Sequence, residues 1–186
     1  MTVFDRFLQR WRITKVRPFI PAGARVLDIG CGDGALFRQL HGLIREGVGI
    51  DATLLDTVKT AEYCLLPGRF PADLPKTEPF DVVTLLAVLE HIPTNEHASF
   101  TRAACSFLKT GGVILITVPS PRVEQILKVL TFLHLIHGMS LEEHYGFDPK
   151  QIPVIFSIPG LRLIKSATFQ CGLNNIFVFK KIDGFS

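Results

Sequence analysis

The chain has 186 residues, of which 47% are hydrophobic and 20% are charged, a composition typical of one globular domain spanning residues 1–186. The formal net charge of +3 is too small to indicate a nucleic-acid partner, because such domains concentrate lysine and arginine to neutralise several phosphates. The four cysteines are scattered without a CxxC pair, so the sequence indicates neither a zinc site nor a disulfide framework, and we expect reduced thiols.

Residues 1–20 have the pattern of a basic amphipathic helix, in which cationic and apolar side chains alternate. The cations are Arg6, Arg10, Arg12, Lys15 and Arg17. A helix that packs one face on the domain is the favoured interpretation, and contact with a membrane surface or a nucleic acid is the alternative. Charges interrupt every apolar stretch before residue 18, so we predict no secretory signal and a cytoplasmic location.

Short apolar runs alternate with longer helix-like segments, and this order predicts an α/β fold with a mostly parallel sheet covered on both faces. The predicted strands are Arg25–Ile29, Gly47–Ile50, Tyr63–Leu66, Asp81–Leu86, Val113–Val118, Leu161–Gln170 and Asn175–Lys180. The predicted helices are Ala35–Leu43, Leu54–Thr60, Asn95–Leu108, Arg122–Ile136 and Pro149–Ser157, the last shortened or kinked by Pro153. Only the four residues Cys171–Asn174 separate the last two strands, which predicts an antiparallel hairpin at the end of the sheet.

The segment VLDIGCGDG, residues 26–34, is a buried strand that runs into glycines at the start of a helix. Glycines allow a sharp turn and a close approach to a ligand, and the amides of a helix start can bind a carboxylate or phosphate. Nicotinamide-binding proteins carry GxGxxG, whereas here the third glycine is followed by Ala35 and Asp28 precedes the glycines. This spacing favours a sulfonium cofactor.

Asp51 ends the next predicted strand, where a carboxylate suits hydrogen bonding to ribose hydroxyls. The structural alternatives are that Asp28 organises the turn and that Asp51 caps a helix.

In the order of its motifs, the chain resembles the class I S-adenosylmethionine-dependent methyltransferases from about Arg12 to Lys180. Residues 26–34 resemble the part of the family that carries the methionine end of the cofactor. Residues 80–83 with 86–92 resemble the fourth strand and its loop, and residues 108–113 with Val118 and Pro119 resemble the fifth-strand motif.

The resemblance implies a doubly wound, Rossmann-like sheet of seven strands in the order 3-2-1-4-5-7-6, with strand 7 antiparallel. It also implies S-adenosylmethionine as the cofactor, contacted by Asp28, Gly30, Cys31, Gly32, Asp51, Ala52, Phe70, Leu86 and Ala87. Many relatives have an acid in the loop after strand 3, and we expect Phe70 to pack on adenine there instead.

The candidate general bases for an acceptor that bears a proton are His91 and His144. For His91, the equally weighted alternative is that the local backbone satisfies the hydrogen bonds of its side chain and that it has no catalytic role. Some family members hold a divalent metal with an ExxEH run, but Ala87 stands where the first glutamate would be, leaving only Glu90 and His91, and we predict no required metal.

The region 120–158 is predicted to be a substrate lid, and its segment 123–137 is apolar around most of its circumference but too short and interrupted for a membrane span. The sequence thus predicts a methyltransferase acting on oxygen, nitrogen or carbon of a small-molecule or lipid-linked acceptor with apolar character. Peripheral contact with a membrane stays open. The alternatives are a nucleic-acid or protein methyltransferase, disfavoured because no NPPY-like segment follows strand 4, and a non-catalytic module that kept the fold. The acceptor and the oligomeric state stay open.

Overall fold

The computed structural model describes residues 3–120 and 147–183, with side chains from Arg6 onward. Its strands are β1 (Arg25–Ile29), β2 (Glu46–Asp51), β3 (Val58–Lys59), β4 (Tyr63–Pro67), β5 (Phe80–Leu86), β6 (Leu108–Pro119), β7 (Leu161–Phe169) and β8 (Asn174–Lys181). Its α-helices are α1 (Val3–Val16), α2 (Ala35–Gln39), α3 (His97–Ser106) and α4 (Ile152–Ile155). Short 3-10 segments lie at Arg17–Phe19, Leu89–His91, Thr94–Glu96 and Pro149–Gln151.

All of these strands form one sheet in the order β3-β4-β2-β1-β5-β6-β8-β7. The pairs from β4 to β6 are parallel, and every residue of the central strand β1 is buried, as expected for a strand covered on both faces. Strand β8 pairs antiparallel with both β6 and β7, which confirms the predicted hairpin. The predicted order is confirmed once β3 is set aside, whereas the predicted count of seven strands is one too few for the described part of the chain.

The predicted helix Leu54–Thr60 is wrong, because this stretch contains β3, which pairs antiparallel with β4. A helix of seven residues would leave most of its backbone groups without intrahelical partners, and Val58 and two threonines are β-branched. The Thr60 hydroxyl donates to the Tyr63 carbonyl at 3.1 Å and accepts from the Tyr63 amide at 3.0 Å. These bonds close the turn that leads β3 back onto the edge of β4.

The remaining helices exist but are shorter than predicted. Ala35–Leu43 is helical only as α2, and Asn95–Leu108 is helical only as α3, after the 3-10 turn Thr94–Glu96. Pro149–Ser157 is a 3-10 turn followed by α4, and the Asp148 side chain caps it by accepting from the Lys150 amide at 3.0 Å. The predicted helix Arg122–Ile136 lies outside the described residues.

The core has one layer on each face of the sheet. α3 and α4 cover one face with a cluster that includes Phe80, Phe100 and Phe156. α1 and α2 cover the other face, where Ile13 and Phe37 are buried. Helix α1 thus packs one face on the domain. No helix within residues 3–120 or 147–183 is long and apolar enough to cross a membrane.

Candidate active site

A cavity of about 460 Å³ opens at the sheet edge where β1, β2 and β5 end, within the size range of small-molecule sites. Its lining residues are Ile29, Gly30, Ile50, Asp51, Ala52, Thr53, Gly68, Arg69, Phe70, Ala87, Val88, His91, Ile92, Pro93, Glu96 and Phe100. Ligands of open α/β sheets bind outside the carboxyl ends of the strands, because the loops that follow the strands converge there. The cavity brings together six of the predicted site residues: Gly30, Asp51, Ala52, Phe70, Ala87 and His91.

The turn after β1 requires glycine for two different reasons. Gly30 has φ +74°, and a Cβ built on it would lie 2.4 Å from Cγ2 of Val88, so the turn and the loop after β5 are in close contact. Gly32 has φ +49°, but a Cβ there would meet no atom of the described residues within 4 Å. The Gly30 amide donates to the Ile50 carbonyl at 2.8 Å, which ties the turn to the end of β2.

Asp51 is fixed by its neighbours and keeps acceptor capacity. One carboxylate oxygen, Oδ2, accepts from the Gly32 amide at 2.7 Å. The other, Oδ1, accepts from the amide of Thr53 at 2.8 Å and from its hydroxyl at 2.6 Å. A carboxylate offers about four lone-pair positions, so these three bonds leave room for a hydroxyl donor in the cavity that Asp51 lines. No helix begins at residues 52–57, and Asp51 caps a turn instead.

Asp28 lies behind the cavity and does not line it. Its side chain is 3% exposed, and its Oδ1 accepts from the Thr84 hydroxyl at 2.5 Å, which joins β1 to β5. Burial raises the pKa of Asp28 to about 7, although the Thr84 hydrogen bond opposes the shift. The local organising role weighed from the sequence therefore agrees with its position, and direct cofactor contact stays a prediction.

Cys31, Gly32 and Leu86 are the other predicted contacts that do not line the cavity. The Cys31 thiol is buried, and a Cβ built on Gly49 would lie 2.6 Å from its Sγ. Burial, together with the nearby Asp28 and Asp51 carboxylates, raises the pKa of this thiol. The Leu86 side chain packs against the core layer formed with α1 and α2.

The loop after β5 contributes a strained backbone position to the cavity. Ala87 has φ 61°, in the left-handed region, and its amide donates to the Thr117 carbonyl of β6 at 2.8 Å. Such conformations cost a non-glycine residue about 1–3 kcal/mol and cluster at functional sites. On the opposite side, the Phe70 ring lines the cavity and packs edge-on against Phe100, with 5.2 Å between ring centroids.

The two candidate bases differ in what the structure says of them. His91 is exposed at the cavity rim, and its amide donates to the Val88 carbonyl at 3.0 Å in a 3-10 turn. His144 lies outside the described residues. No group of three metal-ligating side chains converges within the described ranges, and the prediction of no required metal stays a prediction.

Glu90, next to His91, was considered only as a metal ligand from the sequence. It is 3% exposed, and burial raises its pKa to about 7, while the Arg12 guanidinium of α1 opposes the shift. The charge of Arg12 on the N-terminal helix therefore acts on the loop that forms the cavity wall. The sequence does not reveal this electrostatic effect, because the two residues are far apart in the chain and belong to different motifs.

Arg69, Glu96 and Phe100 also line the cavity and were not predicted. Arg69 directly precedes Phe70, so its place on the loop after β4 was the available signal. Glu96 and Phe100 come from the start of α3, which only the packed fold brings over the ends of the strands.

The chain is similar in sequence to known methyltransferases. Residues 4–165 match a family model described as a methyltransferase domain, so the chain belongs to that methyltransferase family. A ubiquinone biosynthesis O-methyltransferase of Xanthomonas axonopodis pv. citri (strain 306) is 34% identical over 107 residues, which are 52% of this chain and 44% of that protein. One from Thiobacillus denitrificans (strain ATCC 25259 / T1) is 35% identical over 101 residues, 49% of this chain and 42% of that protein. The matched part is thus less than half the length of these relatives.

Solved structures support the fold. The N-methyltransferase NodS from Bradyrhizobium japonicum WM9, in complex with S-adenosyl-L-homocysteine, is similar with a TM-score of 0.67 and 14% identity, over 94% of this chain and 87% of that one. At this identity the similarity concerns the fold alone. With the family match, it confirms the predicted class I S-adenosylmethionine-dependent methyltransferase family and its Rossmann-like sheet.

Proposed function

We propose that this chain binds S-adenosylmethionine in the cavity at the carboxyl edge of the sheet and transfers the methyl group to an oxygen of a small, apolar acceptor. The observation that carries the proposal is the convergence of Gly30, Asp51 and the strained Ala87 around one cavity. The choice of oxygen rests on the names of the relatives that are 34% and 35% identical.

The polar and apolar groups that line the cavity fit the cofactor. Asp51 retains acceptor capacity for ribose hydroxyls, and the Phe70 ring offers a face for adenine. When bound, the cofactor supplies a methyl group already activated by its sulfonium, so the chain needs mainly to align the acceptor and exclude water. Alignment of this kind contributes roughly 7–11 kcal/mol to lowering a barrier.

His91 is the group of the described residues that we assign to proton removal. A neutral imidazole accepts a proton from a hydroxyl that is being methylated, and a positioned general base contributes about 10²- to 10⁴-fold in rate. Ile92 and Pro93 follow His91 and also line the cavity, so the cavity wall is apolar on that side of His91. This supports an acceptor that buries a hydrocarbon surface and presents a hydroxyl.

The test is a transfer assay with labelled S-adenosylmethionine and the small-molecule and lipid extract of the source cell, with mass spectrometry of the product. We expect one methylated hydroxyl compound. With that compound as acceptor, His91→Ala should lower kcat about 10²- to 10⁴-fold while leaving the cofactor affinity near its wild-type value.

His41→Ala is the matched control, because His41 is an exposed histidine that pairs with Glu62 at 2.7 Å and does not line the cavity. Equal kcat values for His91→Ala and the wild type would remove His91 from the mechanism. A chain that binds the cofactor but methylates nothing in the extract would favour the non-catalytic alternative.

A further inference from the structure

Helix α1 buries one face and leaves Phe7 and several cations exposed on another, beside the partly buried Trp11. Ile13 and Val16 are 2% and 0% exposed against the core. Phe7, by contrast, is 54% exposed, and its ring lies 5.5 Å from the ring of Trp11, one helical turn away. An isolated apolar side chain on a surface is ordinary, but this one belongs to an aromatic pair.

Cations surround the aromatic pair. Arg6, Arg10 and Lys15 are all exposed, and at 100° per residue Arg10 and Lys15 lie on opposite sides of Phe7 around the helix. Residues 6–17 contain five cations and no acid. We call this set of residues, Arg6, Phe7, Arg10, Trp11 and Lys15, the α1 surface.

The α1 surface lies near the edge of the sheet that carries the cavity. The Leu8 carbonyl accepts from the side-chain amide of Gln170 at 3.4 Å, in the turn that joins β7 to β8 beside the carboxyl end of β6. The positive charge of Arg12, on the same helix, lowers the pKa of Glu90 in the loop after β5, against the larger effect of burial. A flat partner that contacts the first turns of α1 would therefore be close to the cavity.

We propose that the α1 surface docks this chain on an anionic phospholipid bilayer. The exposed Phe7 ring, beside the partly buried Trp11 and flanked by cations, matches a bilayer interface, since the exposed ring inserts between headgroups while the cations pair with lipid phosphates. A nucleic acid fits less well, because it offers an aromatic pair no apolar layer and is bound by longer rows of cations. This docking is separate from the proposed methyl transfer.

Trp11 is the only tryptophan of the chain, so its fluorescence reports on this helix. The experiment titrates the full chain with phosphatidylcholine vesicles that contain either no or a large fraction of phosphatidylglycerol, at low and at physiological salt. We expect a blue shift and quenching by brominated acyl chains with the anionic vesicles only, weakened by salt.

Arg6→Glu combined with Arg10→Glu should lower the vesicle partition coefficient at least about 25-fold, at roughly fivefold for each cation lost. Phe7→Ser should lower it several-fold at every salt concentration, because it removes an apolar contact. Lys76→Glu combined with Arg102→Glu is the control, since it changes the net charge equally at exposed positions, one of them on α3 across the sheet.

Three results would overturn the proposal: no fluorescence change with anionic vesicles at low salt, an equal loss of binding in the control pair, or tighter binding to a single-stranded RNA than to the vesicles. Calorimetry with S-adenosylmethionine on the same variants separates this outcome from that of the proposed function. Normal cofactor binding alongside absent vesicle binding would reject only the docking.

Discussion

The amino ends of the parallel strands lie at one edge of the sheet (the amino edge), and their carboxyl ends lie at the other (the carboxyl edge). The two edges differ in how their charged side chains are paired. At the amino edge, Arg25 is 5% exposed and donates to Glu46 at 2.7 Å and to the Thr77 hydroxyl at 2.6 Å, and its guanidinium lies over the Phe80 ring. Asp81 accepts from the Arg25 amide at 2.8 Å and from Lys109 at 2.7 Å. Each of these charged side chains has either an ion-pair partner or a hydrogen-bond partner.

At the carboxyl edge, by contrast, buried acids have little compensation. Asp28 has one side-chain hydrogen bond, from Thr84, and the Oε2 atom of Glu90 has no hydrogen-bond partner among the described residues. Burial raises the pKa of both acids to about 7, whereas at the amino edge the Arg25 hydrogen bond lowers the pKa of Glu46. The paired charges of the amino edge therefore stabilise the fold, whereas the buried acids of the carboxyl edge, around the cavity, cost folding free energy.

The largest expected effect concerns Asp28 and pH. The unfolded chain releases the Asp28 proton near pH 4 and the folded chain near pH 7, so the folded state holds the extra proton between them. Stability should therefore fall by about 4 kcal/mol as pH rises through this window, and Glu90 acts in the same direction. Asp28→Asn should be more stable than the wild type at pH 8 in urea denaturation.

Asp81→Asn is the counterpart at the amino edge. Burial raises the pKa of Asp81, but Lys109 and the Arg25 amide outweigh burial and hold it below the usual value. Its contribution to stability is present above the unfolded pKa and is lost on acidification, so Asp81→Asn should be less stable than the wild type at pH 8. Two variants that shift stability in the same direction at pH 8 would refute the contrast between the edges.

A smaller effect is expected from Arg25→Met. This change removes the hydrogen bonds to Glu46 and Thr77 and should lower the free energy of unfolding by about 2 kcal/mol, less than for a fully buried pair because the Glu46 side chain is 45% exposed. The cofactor affinity of the folded protein should not change, since Arg25 lies at the edge opposite the cavity. Arg162→Met, at an exposed position of β7, serves as the control, and a comparable loss there would contradict the assignment.

The smallest effect is expected from Ala87→Gly. The left-handed φ of 61° costs alanine about 1–2 kcal/mol, while glycine in a folded chain loses about 0.5–1 kcal/mol through entropy. Thermal unfolding should therefore show a net gain of about 0.5 kcal/mol. Ala52→Gly, at the same cavity but without a positive φ, should show a small loss, and a loss at both positions would argue against strain at Ala87.

The central strands could be predicted because their residues are buried on both faces and so form continuous apolar runs. Gly30, Asp51 and Ala87 could be placed together because each follows or ends a neighbouring strand, and the carboxyl ends of parallel strands meet at one edge. For these features, local sequence and global fold specify the same arrangement.

Other features depend on partners that are distant in the sequence. Val58 and Lys59 are extended because the edge of β4 offers backbone hydrogen bonds to β3, which the local apolar pattern does not encode. The electrostatic effect of Arg12 on Glu90 and the position of Phe100 at the cavity depend on how α1 and α3 pack on opposite faces of the sheet.

Titration calorimetry with S-adenosylmethionine tests most directly the claim that the carboxyl-edge cavity holds the methyl donor. The wild type should bind one molecule per chain, and Asp51→Asn should weaken binding about 10- to 100-fold, as expected for hydrogen bonds to a charged acceptor. Asp56→Asn, an exposed acid on the same loop that does not line the cavity, should bind as the wild type does. Equal affinity for Asp51→Asn and the wild type, or no binding heat for the wild type, would contradict the account.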